Sequence, residues 1–133
     1  MRPARFQAWL IDTFKNTPGV GRVQTLAEAG DSKHPFGVAV TRDGKEERWQ
    51  ITHQLAEGEK HEHAEAPVTD TPFSAPVPDA GAESDKWLVG VIGAADNPEI
   101  ARVERWADRP EASSQAGVTV FFHNGSRGFV RPL

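Results

Sequence analysis

The sequence predicts an α+β protein in which two tandem α-β-β-β repeats build antiparallel sheet and pair as a pseudo-twofold internal dimer. Three observations predict it. Trp9-Leu10-Ile11 returns as Trp87-Leu88-Val89, shifted by 78 positions, and Pro18-Gly19-Val20-Gly21-Arg22-Val23 returns as Pro98-Glu99-Ile100-Ala101-Arg102-Val103, shifted by 80. Gly37-Val38-Ala39-Val40 returns as Gly117-Val118-Thr119-Val120, again shifted by 80, and Asp43-Gly44 as Asn124-Gly125. Anchors in one order with short insertions between them mark an internal duplication. In each copy, helical apolar spacing then gives way to period-two alternation around a turn dipeptide. The predicted layout is one domain over 1–133: repeat 1 at 4–55, an acidic proline-rich connector at 56–84, and repeat 2 at 85–133. Units of about 50 residues bury too little surface to be stable alone, so the two copies are expected to share a core.

Taken in order, Phe6, Trp9, Leu10, Thr13 and Phe14 form a helical stripe over 5–16, which Pro18-Gly19 ends. Val20 to Glu28 reads as a strand between glycines. Phe36–Arg42 and Lys45–Leu55 alternate about Asp43-Gly44, which accepts the positive φ of a two-residue type I′ turn. That turn sets Val38 opposite Trp49 and Phe36 opposite Ile51, placing the apolar residues on one face. The connector carries Pro67, Pro72, Pro76 and Pro78, so it reads as irregular chain held through Val68, Phe73 and Val77 or by a neighbouring chain. Ser84-Asp85 are candidate N-caps for a second helix with Trp87, Leu88, Val91, Ile92 and Ala95 on its apolar stripe. Asn97-Pro98 imitates a helix start, but alignment with Arg22-Val23 makes 98–108 a strand. A loop over 109–116 leads to strands at 117–123 and 126–131 around Asn124-Gly125.

The net charge of −4 is unevenly spread: residues 1–56 carry eight basic and six acidic side chains, 57–85 one and eight, and 86–133 six and five. Near-neutral repeats argue against a footprint for duplex DNA, and nucleic acid is not the expected partner. There are no cysteines, hence no disulfide, thiolate metal site or cysteine nucleophile. No apolar run approaches membrane length and the N-terminal segment lacks a signal-peptide core, so a soluble cytoplasmic chain without a membrane partner is expected.

Few residues offer chemistry. His61-Glu62-His63, with Glu65 nearby, supplies zinc- or iron-type ligands, and the hairpin register would bring His34 opposite His53. The plainer readings are a solvated charged loop and two strand-end histidines, and no cofactor is expected. Ser126 lies at a hairpin tip without a partner base, and Gly90-Val91-Ile92-Gly93 lacks the third glycine and lysine of phosphate-binding loops. Phe121, Phe122, Arg127, Phe129 and Arg131 interleave aromatic and basic residues. They fit a protein-binding edge, a stacking platform for single-stranded nucleic acid, or, for Phe122 and Phe129, ordinary core. Trp9 and Trp87 are expected in the core, with Trp49 and Trp106 lining a groove.

The expected function is that of a small non-enzymatic protein-binding or adaptor protein. Its surface would be the open sheet edge and the hairpin tips, named by Asp43, Gly44, Asn124, Gly125, Arg127, Phe129 and Arg131, with the connector as a docking strap. The partner would be another protein or a second copy. In element order alone, the chain is similar to siphophage tail terminators, a resemblance that implies a structural assembly role in a phage or mobile element. A metal-dependent enzyme acting through His61 and His63 is the third reading.

Overall fold

Pro3 opens helix α1 (Pro3–Lys15), its missing N–H falling where a helix has no acceptor for one. Phe6, Leu10 and Phe14, four residues apart, are buried on a single face. In the computed structural model, which describes residues 1–110 and 115–133, this helix is followed by strands β1 (Val20–Thr25), β2 (Gly37–Arg42) and β3 (Lys45–Gln54). Helix α2 (Ser84–Ala94), β4 (Ile100–Arg105), a 3-10 turn (Trp106–Asp108), β5 (Val118–Phe122) and β6 (Arg127–Pro132) complete the chain. Positions 111–114 of the loop predicted over 109–116 lie outside the described residues.

The strands form one antiparallel sheet in the order β1-β2-β3-β6-β5-β4. Val38 lies opposite Trp49 as the turn chemistry predicts, and the Ile51 N–H donates to the Phe36 carbonyl at 3.0 Å. Asp43 and Gly44 both hold positive φ, 51° and 77°, as a type I′ turn requires. Val38, Val40, Trp49, Ile51, Val118, Val120, Phe122 and Val130 share one face and one core with Phe6, Leu10, Phe14, Trp87, Leu88, Val91 and Ile92 of the helices. Both helices cover that face and leave the opposite one without a helix layer, although Ala39 and Thr119 on it are buried.

Several local expectations are corrected. Glu83, not Ser84 or Asp85, is the N-cap of α2, and no side chain caps it. The Asp85 carboxylate instead faces Arg105 at 3.3 Å, an ion pair between helix and sheet. Asn97 does not start a helix: its Oδ1 accepts the Glu99 N–H at 2.9 Å, a local turn that delivers the chain into β4. Asn124-Gly125 belongs to a three-residue tip, because the Asn124 side chain accepts both the N–H and the O–H of Ser126, and only Gly125 takes positive φ. Trp9 is half-buried where Trp87 is fully buried, and Ala95 is exposed just beyond α2. Phe122 is core, whereas Phe129 lies on the uncovered face.

The connector is an irregular strap tied down by its own chain. Arg2 donates from its backbone N–H to Glu65 and from its guanidinium to the carbonyls of Lys60 and His63 at 3.0 and 2.7 Å. Arg5 bridges Glu65 and Glu99, holding Glu65 down to about 2 and Glu99 below the usual carboxylate range. Phe73 packs against the core and donates its N–H to the Ile100 carbonyl at 2.8 Å, whereas Val68 and Val77, the other two expected anchors, are exposed. At its far end Arg42 donates to the carbonyls of Ala80 and Ala82.

Helix α2 accepts the strap through its glycines. A Cβ on Gly93 would lie 2.4 Å from the Ala75 Cβ, and one on Gly90 2.7 Å from the Pro78 Cβ. Gly93→Ala is therefore expected to destabilise the fold by about 1–3 kcal/mol through overpacking, despite a gain in helix propensity of up to ~1 kcal/mol. Urea denaturation reads the sign, and an unchanged or raised midpoint would mean the strap yields freely.

Candidate functional site

The uncovered face of the sheet gathers basic and aromatic residues of the second half beside polar residues of β3. On β6, Arg127, Phe129 and Arg131 alternate with buried Gly128 and Val130, so strand periodicity directs all three to the same side. Pairing sets their neighbours: Phe129 lies between Thr52 of β3 and Thr119 of β5, Arg127 between Gln54 and Phe121, and Arg131 beside Gln50, to whose Oε1 it donates at 2.9 Å. Arg102, opposite Phe121, extends the row onto β4.

Two of the aromatic rings already carry cations. The Arg102 and Arg127 guanidiniums lie 3.9 and 5.0 Å from the Phe121 ring centroid, and Arg109 lies 5.5 Å from that of Trp106. Trp106 is fixed by donation from its indole N–H to the Thr119 hydroxyl at 2.9 Å, and Gly117 leaves room for the ring to lie against the backbone. Gln50, Thr52, Trp106, Arg109, Phe129 and Arg131 line a shallow depression of about 420 Å³. A second of about 220 Å³ adjoins it through Trp106 and Arg131. Glu46 pairs with Arg48, and Glu104 with Arg102 and Arg109. Among the described residues no carboxylate forms an ion pair with Arg127 or Arg131.

The other predicted site residues are not gathered there. The tip at Asp43-Gly44 stands beside the C-terminal end of β6, whereas Asn124-Gly125 stands beyond its start, so the tips lie at opposite ends of the sheet. Strand rise separates them by roughly 35 Å. Trp49 lines no groove: it is fully buried under the helices, and Trp106 alone of the pair reaches the depression.

The His34–His53 pair does not form. His34 sits against Asp31 at 2.8 Å, which pulls that carboxyl down to about 2, while His53 lies opposite Gly128 with its ring edge-on to His61, centroids 5.7 Å apart. Burial, then the neighbouring His61, pushes the His53 imidazole below its ordinary value. Glu65 is engaged by Arg5 and Arg2, and among the described residues no three or more His, Asp or Glu side chains converge to hold a metal ion. Gly90 and Gly93 are packed against the strap, at Pro78 and Ala75.

Reading single segments missed Arg102 and Arg109 as members of the face, and a further cleft of about 390 Å³ between α1, α2 and the strap, bordered by Trp9, Val77 and Val91. Arg102 reaches the side of Phe121 through the register shift between Ile100 and Arg102, which strict period-two alternation from buried Ile100 does not reveal. The cleft has no local signature, because its α1 wall lies more than 60 positions from the strap and α2 walls. Among the described residues no helix is long and apolar enough to cross a membrane. Set against protein-family models, curated proteins and solved structures, the chain matches none of them.

Proposed function

We propose that the chain is a non-enzymatic binding protein that engages a partner protein through the uncovered sheet face centred on Arg127, Phe129 and Arg131. The observation that carries this reading is the face itself: aromatic and arginine side chains around a shallow depression, the residue types that dominate binding energy at protein interfaces. The sheet edges are poorer surfaces. Irregular pairing between Val20 and Val23 on β1, and between Ile100 and Arg102 on β4, twists both edges away from regular pairing with another strand. Self-assembly through those edges, and the tail-terminator-like role, therefore have less to rest on.

We also read the chain as two tandem α-β-β-β units within one domain. In support, Val20 lies opposite Arg42 and Ile100 opposite Phe122, Val23 opposite Val40 and Val103 opposite Val120, each pair offset from its counterpart by 80 positions. The Leu26 N–H donates to the Gly37 carbonyl, and that of Trp106 to Gly117, at the same offset. On this reading the face spans the junction of the copies, where β3 meets β6.

The test is photo-crosslinking in cells, with benzoylphenylalanine replacing Phe129 or, as a control on the strap, Val77. A discrete protein adduct is expected from position 129, and it should disappear when Arg127→Glu and Arg131→Glu are added. Adducts from 77 alone would remove the reading.

A further inference from the structure

We infer that the occupant of this face is an acidic extended segment of the partner protein, with two carboxylates four residues apart and an apolar or aromatic side chain midway between them. The inference rests on the binding reading above and assigns its chemistry. Arg127, Phe129 and Arg131 stand at i, i+2 and i+4 of one strand and face one way. Same-face side chains of an extended chain recur about every 7 Å. A second extended segment laid along β6 therefore repeats the spacing, and the acid-x-apolar-x-acid pattern falls in register with Arg-x-Phe-x-Arg.

Charge and shape select the same occupant. The described acids of the face, Glu46 and Glu104, are already paired with Arg48, Arg102 and Arg109, while Arg127 and Arg131 have no carboxylate partner among the described residues. A guanidinium forks onto a carboxylate with two parallel hydrogen bonds, so an incoming acid at each position completes a charge-assisted pair. Between them Phe129, half-buried, lies between Thr52 and Thr119, whose hydroxyl accepts from Trp106 and Arg109, and its ring borders the Trp106 depression. There the central apolar side chain of the segment is seated.

Single-stranded nucleic acid fits less well. It needs a run of open rings on which successive bases stack, whereas Phe121 and Trp106 are already overlaid by guanidiniums.

The experiment is fluorescence anisotropy of the full chain with a labelled peptide library of the form acid-x-aromatic-x-acid, the x positions varied among small polar residues. Matched libraries carry lysine at the acid positions, or acids only two apart, and a ten-nucleotide thymidine strand is the nucleic-acid probe. Saturable binding to the first library is expected. Arg127→Glu or Arg131→Glu should weaken it at least about tenfold, as should Phe129→Ala, with the thermal midpoint of each variant confirming the fold. Affinity should also fall as salt is raised and the charges are screened.

Binding that ignores charge reversal, equal binding of the lysine library, or no saturable binding overturns the inference. Preference for the oligonucleotide overturns it in favour of nucleic acid. If the peptides fail while the crosslink from position 129 still captures a protein, only the acidic occupant falls. If both fail, the binding reading falls with it.

Discussion

Arg42→Ala is expected to cost about 3–5 kcal/mol of folding stability, because it breaks a buried charge pair from one side. Arg42 is 8% exposed. Its guanidinium is bonded to Glu47, donates to the carbonyls of Ala80 and Ala82 at 2.7 and 2.6 Å, and lies 4.9 Å from the centroid of the Trp87 ring. Phe14 stacks on that same indole at 5.2 Å. Without the arginine, the Glu47 carboxylate is left unpaired in a part-buried setting, where its Oε2 already has no partner, and the strap loses its C-terminal anchor. Denaturant unfolding measures the loss, and new proteolytic cleavage near Asp79 to Glu83 should accompany it. Arg42→Lys keeps the charge but not the planar fork, so it should recover only part of the stability. A loss under about 1 kcal/mol for the alanine variant would contradict a buried anchor.

The second large effect separates two tryptophans that look alike in the sequence. Trp49→Ala should cost about 3–5 kcal/mol, the usual range for truncating a fully buried tryptophan, while sparing the binding face in whatever fraction remains folded. Trp106→Ala should cost only about 1–2 kcal/mol, mainly for the lost hydrogen bond to Thr119 and partial burial. It should nonetheless abolish the crosslink from position 129, since Trp106 walls the depression. Thermal melting and the crosslink yield, read on both variants, decide the assignment. The reverse pattern, a stable Trp49→Ala that loses binding, would place the groove at Trp49 instead.

The difference between these two residues shows where legibility stopped. Trp49 sits on an alternating strand, and alternation reports that one face is apolar without reporting how much layer will cover it. Two helices from distant parts of the chain cover Trp49 completely. Trp106 follows β4 in a short turn and is braced from β5, so its half-exposure depends on a pairing that no local spacing encodes. The candidate site was legible in part for the same reason. Arg127, Phe129 and Arg131 declare a common face by period two alone, whereas Arg109 joins them only because β4 pairs with β5.

What the sequence by itself determined is what short-range chemistry controls: two helices and six strands in order, the Asp43-Gly44 turn, and through that turn the register that sets Val38 against Trp49. The strand expected over 98–108, ambiguous beside Asn97-Pro98, was picked by alignment with its counterpart rather than by its own propensity, and it forms over 100–105 before giving way to the 3-10 turn at Trp106–Asp108. Only the tertiary structure decided which residues the helices bury, that the strap returns to its own chain through Arg2, Arg5, Phe73 and Arg42, and that the basic and aromatic residues collect on the face the helices leave open. Those outcomes rest on contacts between residues tens of positions apart, whose free energy comes from shared burial and from pairing of buried charge, and neither is written in the spacing of neighbouring side chains.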